Sequence, residues 1–243
     1  MKLKLEHLIL TGLLVAIGVI LSQILSISYP PSSTILKFGI GYVPLILVSI
    51  FFGPVVGGFA GIVQDILGYF LFGTGGGVFF PGFTLNAILY GVLPSLLYRF
   101  RPAKGERSYL FINLGFGLVA TGLTIWFAFD RTLLSANSDF TDFYRILLIV
   151  LSLFVLVVVT SAPLLWMKRL QQSEFQRIYF LVQVLYVLVS LILTPLWLTM
   201  MYSGTAFWAF LPIRIVKMPI ETVLYTIILE RLIRLRHHYQ NVE

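Results

Sequence analysis

The sequence predicts an all-α integral membrane protein with eight spans and both termini in the cytoplasm. Three observations carry that expectation. Hydrophobic residues make up 58% of the 243 and charged residues only 11%, where a soluble domain carries about 25% charged residues. Eight apolar windows approach the ~20 residues that a helix needs to cross a bilayer. The Lys and Arg residues, finally, gather in alternate loops, the arrangement that sets orientation in a membrane.

The windows run over 8–28, 36–52, 54–72, 83–99, 109–129, 144–167, 178–201 and 207–230. Met1–His7 is short and charged, and the apolar run after it has no small-residue cleavage site, so the first window is expected to stay as a span. Between the second and third windows there is almost no loop. Gly53-Pro54 ends one helix and opens the next, because proline suits a first helical position. Small residues four apart, Gly12 and Ala16 in the first span and Gly57 and Gly61 in the third, let two backbones approach closely.

Orientation follows from the loops. Lys2 and Lys4 precede the first span; Arg99, Arg101, Lys104 and Arg107 lie between the fourth and fifth. Lys168, Arg169 and Arg177 lie between the sixth and seventh, and Arg231, Arg234 and Arg236 follow the eighth. These segments fall on one side of an even-numbered bundle and hold 12 of the 17 basic residues. That side is therefore the cytoplasm. The opposite loops, "SISYPPSST", "FGTGGGVFFPG", "DRTLLSANSDFTD" and "YSGTA", are polar, glycine-rich or acidic.

Five basic residues remain. Arg131 and Arg145 neighbour Asp130, Asp139 and Asp142 in an outer loop, where solvated pairing is expected. Lys37, Arg214 and Lys217 instead lie near the outer ends of their helices among apolar residues. A charge in a span costs about 2.5–3.5 kcal/mol on insertion scales, so such groups face a cavity or partner, or else snorkel to the headgroups. Together the three predict an anion-receptive outer pocket. Two acids are also buried in spans. Asp65 reads as a polar anchor bonded to another helix, or as a group coupling proton or sodium movement. Glu221 follows Lys217 by four residues and can pair with it on one helix face.

The stretch "LFGTGGGVFFPGFTLNAILYG", Leu71 to Gly91, joins the third and fourth spans on the outer side. Gly73, Gly75, Gly76 and Gly77 allow a mobile hinge. Phe79, Phe80 and Phe83 offer flat apolar faces for a ring, Thr84 is placed to cap the next helix, and Asn86 presents an amide from its first turn. The segment reads as an extracellular gate over a small-molecule site.

Other classes fit less well. The histidines, His7, His237 and His238, sit at the cytoplasmic edges, and no nucleophile-elbow or paired-carboxylate motif appears, so no enzyme is expected. With no Gly-x-x-x-x-Gly-Lys-Ser/Thr motif, ATP hydrolysis would belong to partners. Zero cysteines exclude a disulfide framework, a thiol nucleophile and cysteine-ligated clusters, and no metal or other cofactor is expected. The net charge of +7 reflects loop placement rather than nucleic-acid binding. A self-sufficient secondary transporter would often show inverted repeats, and no internal repeat is visible.

Three segments, "KFGIGYVPLILVSIFFGPVVGGFAGIVQDILGYF", "FFPGFTLNAILYG" and "TPLWLTMMYSGTAFWAFLPIRIVKMPIETVLY", closely resemble the folate family of S components. These are the substrate-binding membrane subunits of energy-coupling factor (ECF) vitamin importers. The resemblance implies a single transmembrane domain over 1–243: a six-helix S-component-like core (1–100 and 177–235) plus an inserted two-helix hairpin (101–176). It implies a vitamin receptor in the plasma membrane of a prokaryote. Such a receptor docks on a transmembrane T component and two ATPase subunits and topples to release its cargo. Folate is the expected substrate, with pantothenate, cobalamin or another vitamin as the alternative. Carried over by position, the substrate-binding residues are Lys37, Phe38, Tyr42, Phe79, Phe80, Phe83, Thr84, Asn86, Thr194, Trp197, Arg214 and Lys217, while Gly12 and Ala16 meet the T component. Aromatic faces suit a pterin, and the cations suit carboxylates. Pro195 departs from the residue expected within the Thr-x-Trp-Leu pattern.

Overall fold

The computed structural model describes residues 5–29, 36–72, 79–100, 107–129, 173–201 and 211–240, with isolated positions between 146 and 165. The gate glycines Gly73, Gly75, Gly76 and Gly77, the loop holding Arg131 and Arg145, and most of the window 144–167 lie outside the described residues. So do the loop cations Lys2, Lys4, Arg101, Lys104, Lys168 and Arg169.

Helix α1 (Leu5–Gln23) leads into a two-stranded antiparallel ribbon, β1 (Ile27–Tyr29) with β2 (Leu36–Phe38), in which Ser28 pairs with Lys37. Then come α2 (Val43–Phe52), α3 (Pro54–Phe72), α4 (Pro81–Arg99) and α5 (Arg107–Phe129). Helix α6 (Ser173–Leu185) continues through a π-helical stretch, Tyr186–Leu193, into α7 (Thr194–Met201), and α8 (Leu211–Gln240) closes the described chain. Among the described residues three helical stretches are long and apolar enough to cross a membrane: Leu5–Gln23, Pro54–Phe72 and Glu174–Met201. Large side chains such as Leu13, Phe59, Phe70 and Ile227 point outward from their helices, as lipid-facing residues do.

The second window departs from expectation. It reads as one helix over 36–52, yet its first part is ribbon and unwound chain, and the helix starts only at Val43. Ten residues rise about 15 Å, half of a bilayer core, so α2 does not cross alone. Non-helical backbone at membrane depth is tolerated where the protein supplies its hydrogen bonds. That condition is met: the Gly39 carbonyl accepts from the Tyr225 hydroxyl at 2.8 Å and the Gly41 carbonyl from Gln64 Nε2 at 3.0 Å. Glycine is required at position 41, since a Cβ there would strike the Ser22 backbone.

Helix α2 is the centre of the core. Leu45, Ile46 and Val48 are fully buried and pack with Ile178, Leu181 and Leu185 of α6 and Leu229 and Ile233 of α8. Gly53 ends α2 with φ +92°, a conformation few other residues adopt, and its carbonyl accepts from the Gly57 N–H at 3.0 Å. Pro54 then opens α3, as the sequence predicts. Gly57 and Gly61 seat α3 directly on the backbone of α4, against the carbonyls of Gly91 and Ala87. Both residues of the expected small-residue pair on α3 therefore serve helix packing.

Gly12 and Ala16, by contrast, are exposed on α1, and a Cβ at Gly12 meets nothing. The π-helical stretch has a local cause. The Thr194 N–H reaches back five residues to the Val189 carbonyl. Pro195, next in the chain, has no N–H, and its ring crowds the carbonyl four residues earlier. A widened turn ahead of the proline relieves that crowding.

Candidate functional site

Helices α3, α4 and α7 meet around Asn86, which is buried within α4. Its Nδ2 donates to Thr194 Oγ1 at 3.1 Å, and its Oδ1 accepts from Trp197 Nε1 at 3.0 Å. Thr194 spends its own proton on the Val189 carbonyl at 2.7 Å, so its oxygen can only accept from Asn86. The bridge thus fixes both the amide orientation and the plane of the indole. The Phe80 ring stands 6.0 Å from Trp197 and 6.0 Å from Phe83, building an aromatic wall at the start of α4. Gly82 makes that wall possible, because any Cβ there would strike the Trp197 ring and Phe80. On the α3 side, the Thr84 hydroxyl donates to Asp65 Oδ2 at 2.6 Å, the inter-helix anchor that one reading of Asp65 expects.

One turn further along these helices lies a second cluster. Tyr90, four residues after Asn86, stacks on Tyr42 with centroids 4.3 Å apart. Ser190, four before Thr194, accepts a long bond of 3.4 Å from Arg214 Nη1. The Tyr186 hydroxyl donates to the Arg214 carbonyl at 3.0 Å. Arg214 and Lys217 share a face of α8, and both are buried at 4% exposure. Lys217 Nζ pairs with Glu221 Oε1 at 2.8 Å and sits 4.7 Å from the centroid of the Phe38 ring. The i, i+4 pair expected from the sequence is formed. A cavity of about 10 Å³, room for roughly one water, is bounded by Ile46, Tyr90, Tyr186, Glu221 and Tyr225 among others.

The expected site residues therefore divide. Phe80, Phe83, Asn86, Thr194 and Trp197 form the aromatic and amide wall, while Thr84 is held by Asp65 on the α3 side; Phe38, Tyr42, Arg214 and Lys217 belong to the adjoining cationic cluster. Phe79 stands apart, edge-on to Tyr69 at 5.1 Å with its N–H donating to the Tyr69 hydroxyl at 3.1 Å. Lys37 lies in β2 opposite Ser28 in register, and its side chain is outside the described residues.

Two local expectations are corrected. Thr84 does not cap α4. The helix starts at Pro81 with Phe80 as its cap residue, since proline takes the first position without needing its N–H satisfied. Asn86 consequently lies in the second turn rather than the first. Tyr90, Tyr186, Ser190 and Tyr225 were not expected at the site. Their signal was present as rows four residues apart, Asn86–Tyr90, Tyr186–Ser190–Thr194 and Lys217–Glu221–Tyr225, each placing its members on one helix face.

A family model described as "ECF transporter, substrate-specific component" matches residues 6–135. The chain belongs to that family. This S component is also similar to the folate transporter FolT of Clostridium novyi (strain NT), 29% identical over 124 residues that cover 51% of this chain and 69% of that protein. It shares the fold of a FolT crystal structure with bound folic acid, at a TM-score of 0.56 and 23% identity, covering 94% of this chain and 93% of the other. The S component is thus a multi-pass helical membrane protein that serves transport. Its short ribbon, β1 with β2, is a feature that the all-helical reading of the sequence did not include.

Proposed function

We propose that this S component captures folate at the outer face of the plasma membrane and delivers it by toppling on an ATP-driven ECF module. The observation that carries the reading is the Asn86 bridge. It holds an amide, a hydroxyl and an indole in one plane-defining arrangement beside Phe80, one turn from two buried cations. A pterin needs flat apolar faces and edge hydrogen bonds, and a glutamate tail needs cations, so each half of folate has chemistry to meet. The name of the Clostridium novyi relative and the folic acid in the FolT structure support the same cargo. The distribution of 12 of 17 basic residues supports eight spans with both termini cytoplasmic. On that topology residues 101–176 insert a hairpin into a six-helix core and leave the orientation of the later spans unchanged. The exposed Gly12 and Ala16 suit docking on the T component, with two ATPase subunits supplying the energy.

Isothermal titration of the purified chain with folate, then pantothenate and cobalamin, tests the reading. Folate is expected to bind tightly, and Arg214→Ala to weaken it at least about tenfold, the loss of one charge-assisted contact. Binding of pantothenate or cobalamin in place of folate would reassign the cargo. Silence toward all three would refute the receptor reading.

A further inference from the structure

We infer that Glu221 is a resident counter-anion, holding in the empty protein the place that a substrate carboxylate takes on binding. This deepens the folate reading and rests on it. The geometry starts from charge. Arg214 and Lys217 lie one turn apart on α8 and are almost wholly buried. Glu221 meets Lys217 at 2.8 Å, with the two side chains 12% and 5% exposed respectively. Glu221 also lines the cavity of about 10 Å³, together with Tyr90, Tyr186 and Tyr225. Among the described residues, two buried cations and one buried anion give the cluster a net charge of +1.

A buried ammonium stripped of its counter-ion is strongly destabilising, so the empty protein needs an anion beside Lys217. Spacing of four residues on one helix supplies it from the same element. An incoming carboxylate faces that anion. Two carboxylates crowding one ammonium in a small apolar space repel, and the cavity beside Glu221 has room for about one water. Lysine presents a compact charge with three rotatable donors, so it can exchange one carboxylate for another without realigning a planar fork. Glu221 therefore sets specificity. It keeps small adventitious anions from settling on Lys217, and it makes a tethered carboxylate, held by the rest of the ligand, the effective competitor.

The test is E221Q in the full-length chain, titrated with folate and with a pterin lacking the glutamate tail, alongside thermal unfolding. Glutamine keeps the shape and loses the charge. The ligand-free variant should melt below wild type, because Lys217 loses its counter-ion. Its folate Kd should nevertheless fall about tenfold, while pterin affinity stays within about twofold. K217M on the E221Q background should abolish the gain. If wild type ignores folate, the folate reading fails and this inference with it. If wild type binds folate but E221Q binds it no tighter, or loses folate and pterin in parallel, the inference fails alone. Should E221Q not fold, E221A, which also removes the charge and leaves room for water beside Lys217, must show the same opposed shifts in melting and folate affinity.

Discussion

Replacing Asn86 by alanine should separate the site's architecture from its charge. Asn86 is 3% exposed and joins α4 to α7 by two side-chain hydrogen bonds, to Thr194 Oγ1 at 3.1 Å and from Trp197 Nε1 at 3.0 Å. Each such bond contributes about 0.5–1.5 kcal/mol net, and the Trp197 N–H would be left without its partner, so the expected loss is about 2 kcal/mol. If that arrangement is the one that receives the ligand, the same energy appears in binding as roughly a thirtyfold rise in Kd. Titration calorimetry with folate reads it, and thermal unfolding in the same detergent reads the stability share. Thr194→Val removes one of the two bonds and should cost about 1 kcal/mol. The double variant should cost less than the sum, because the Asn86–Thr194 bond is counted in both. An Asn86→Ala protein that melts like wild type and binds folate within about threefold would refute the reasoning.

Three further substitutions probe the scaffold. Gly61→Leu places a side chain against the Ala87 carbonyl of α4 and should abolish folded, monodisperse protein on size-exclusion chromatography, whereas Gly12→Leu, where nothing is in the way, should leave melting and folate binding unchanged but prevent co-purification with the T component and ATPases. Asn113 is fully buried and its Nδ2 donates to both Gln176 oxygens, tying α5 to α6; Asn113→Ala should lower the melting temperature through a loss of about 1–3 kcal/mol, yet hold the folate Kd within about twofold, because Gln176 precedes Thr194 by 18 residues, about 27 Å along a helix.

Much of the scaffold was legible because its causes are local. Composition identifies a membrane protein, since charge is too costly in lipid to be scattered. Gly53-Pro54 marks the joint between α2 and α3, where φ is +92° at the glycine. Gly57 and Gly61 mark a close helix contact, because the absence of a side chain is visible in one chain alone. The unwound start of the second window was not legible. A hydropathy window cannot tell a short apolar strand from the beginning of a helix, and the stabilising bonds of the unwound segment come from Tyr225 and Gln64. Those residues are far away in sequence.

The site divides along the same line. Phe80, Asn86, Thr194 and Trp197 carry family-like spacing, and α4 and α7 bring them together in one hydrogen-bonded unit. Thr84 looked like a helix cap because caps are read from flanking composition, yet its hydroxyl binds Asp65 on a neighbouring helix instead. The tyrosines of the second cluster were hidden for a different reason. In a membrane protein, a tyrosine in an apolar run reads as an interface residue, and only the partner helix shows which face is buried. Tyr90 against Tyr42 and Tyr186 against Arg214 are contacts between elements 48 and 28 residues apart in the chain. Periodicity gives the row on each helix but not the angle at which two rows meet. That angle makes Glu221, one member of a local ion pair with Lys217, also a lining residue of the cavity it shares with Tyr90, Tyr186 and Tyr225.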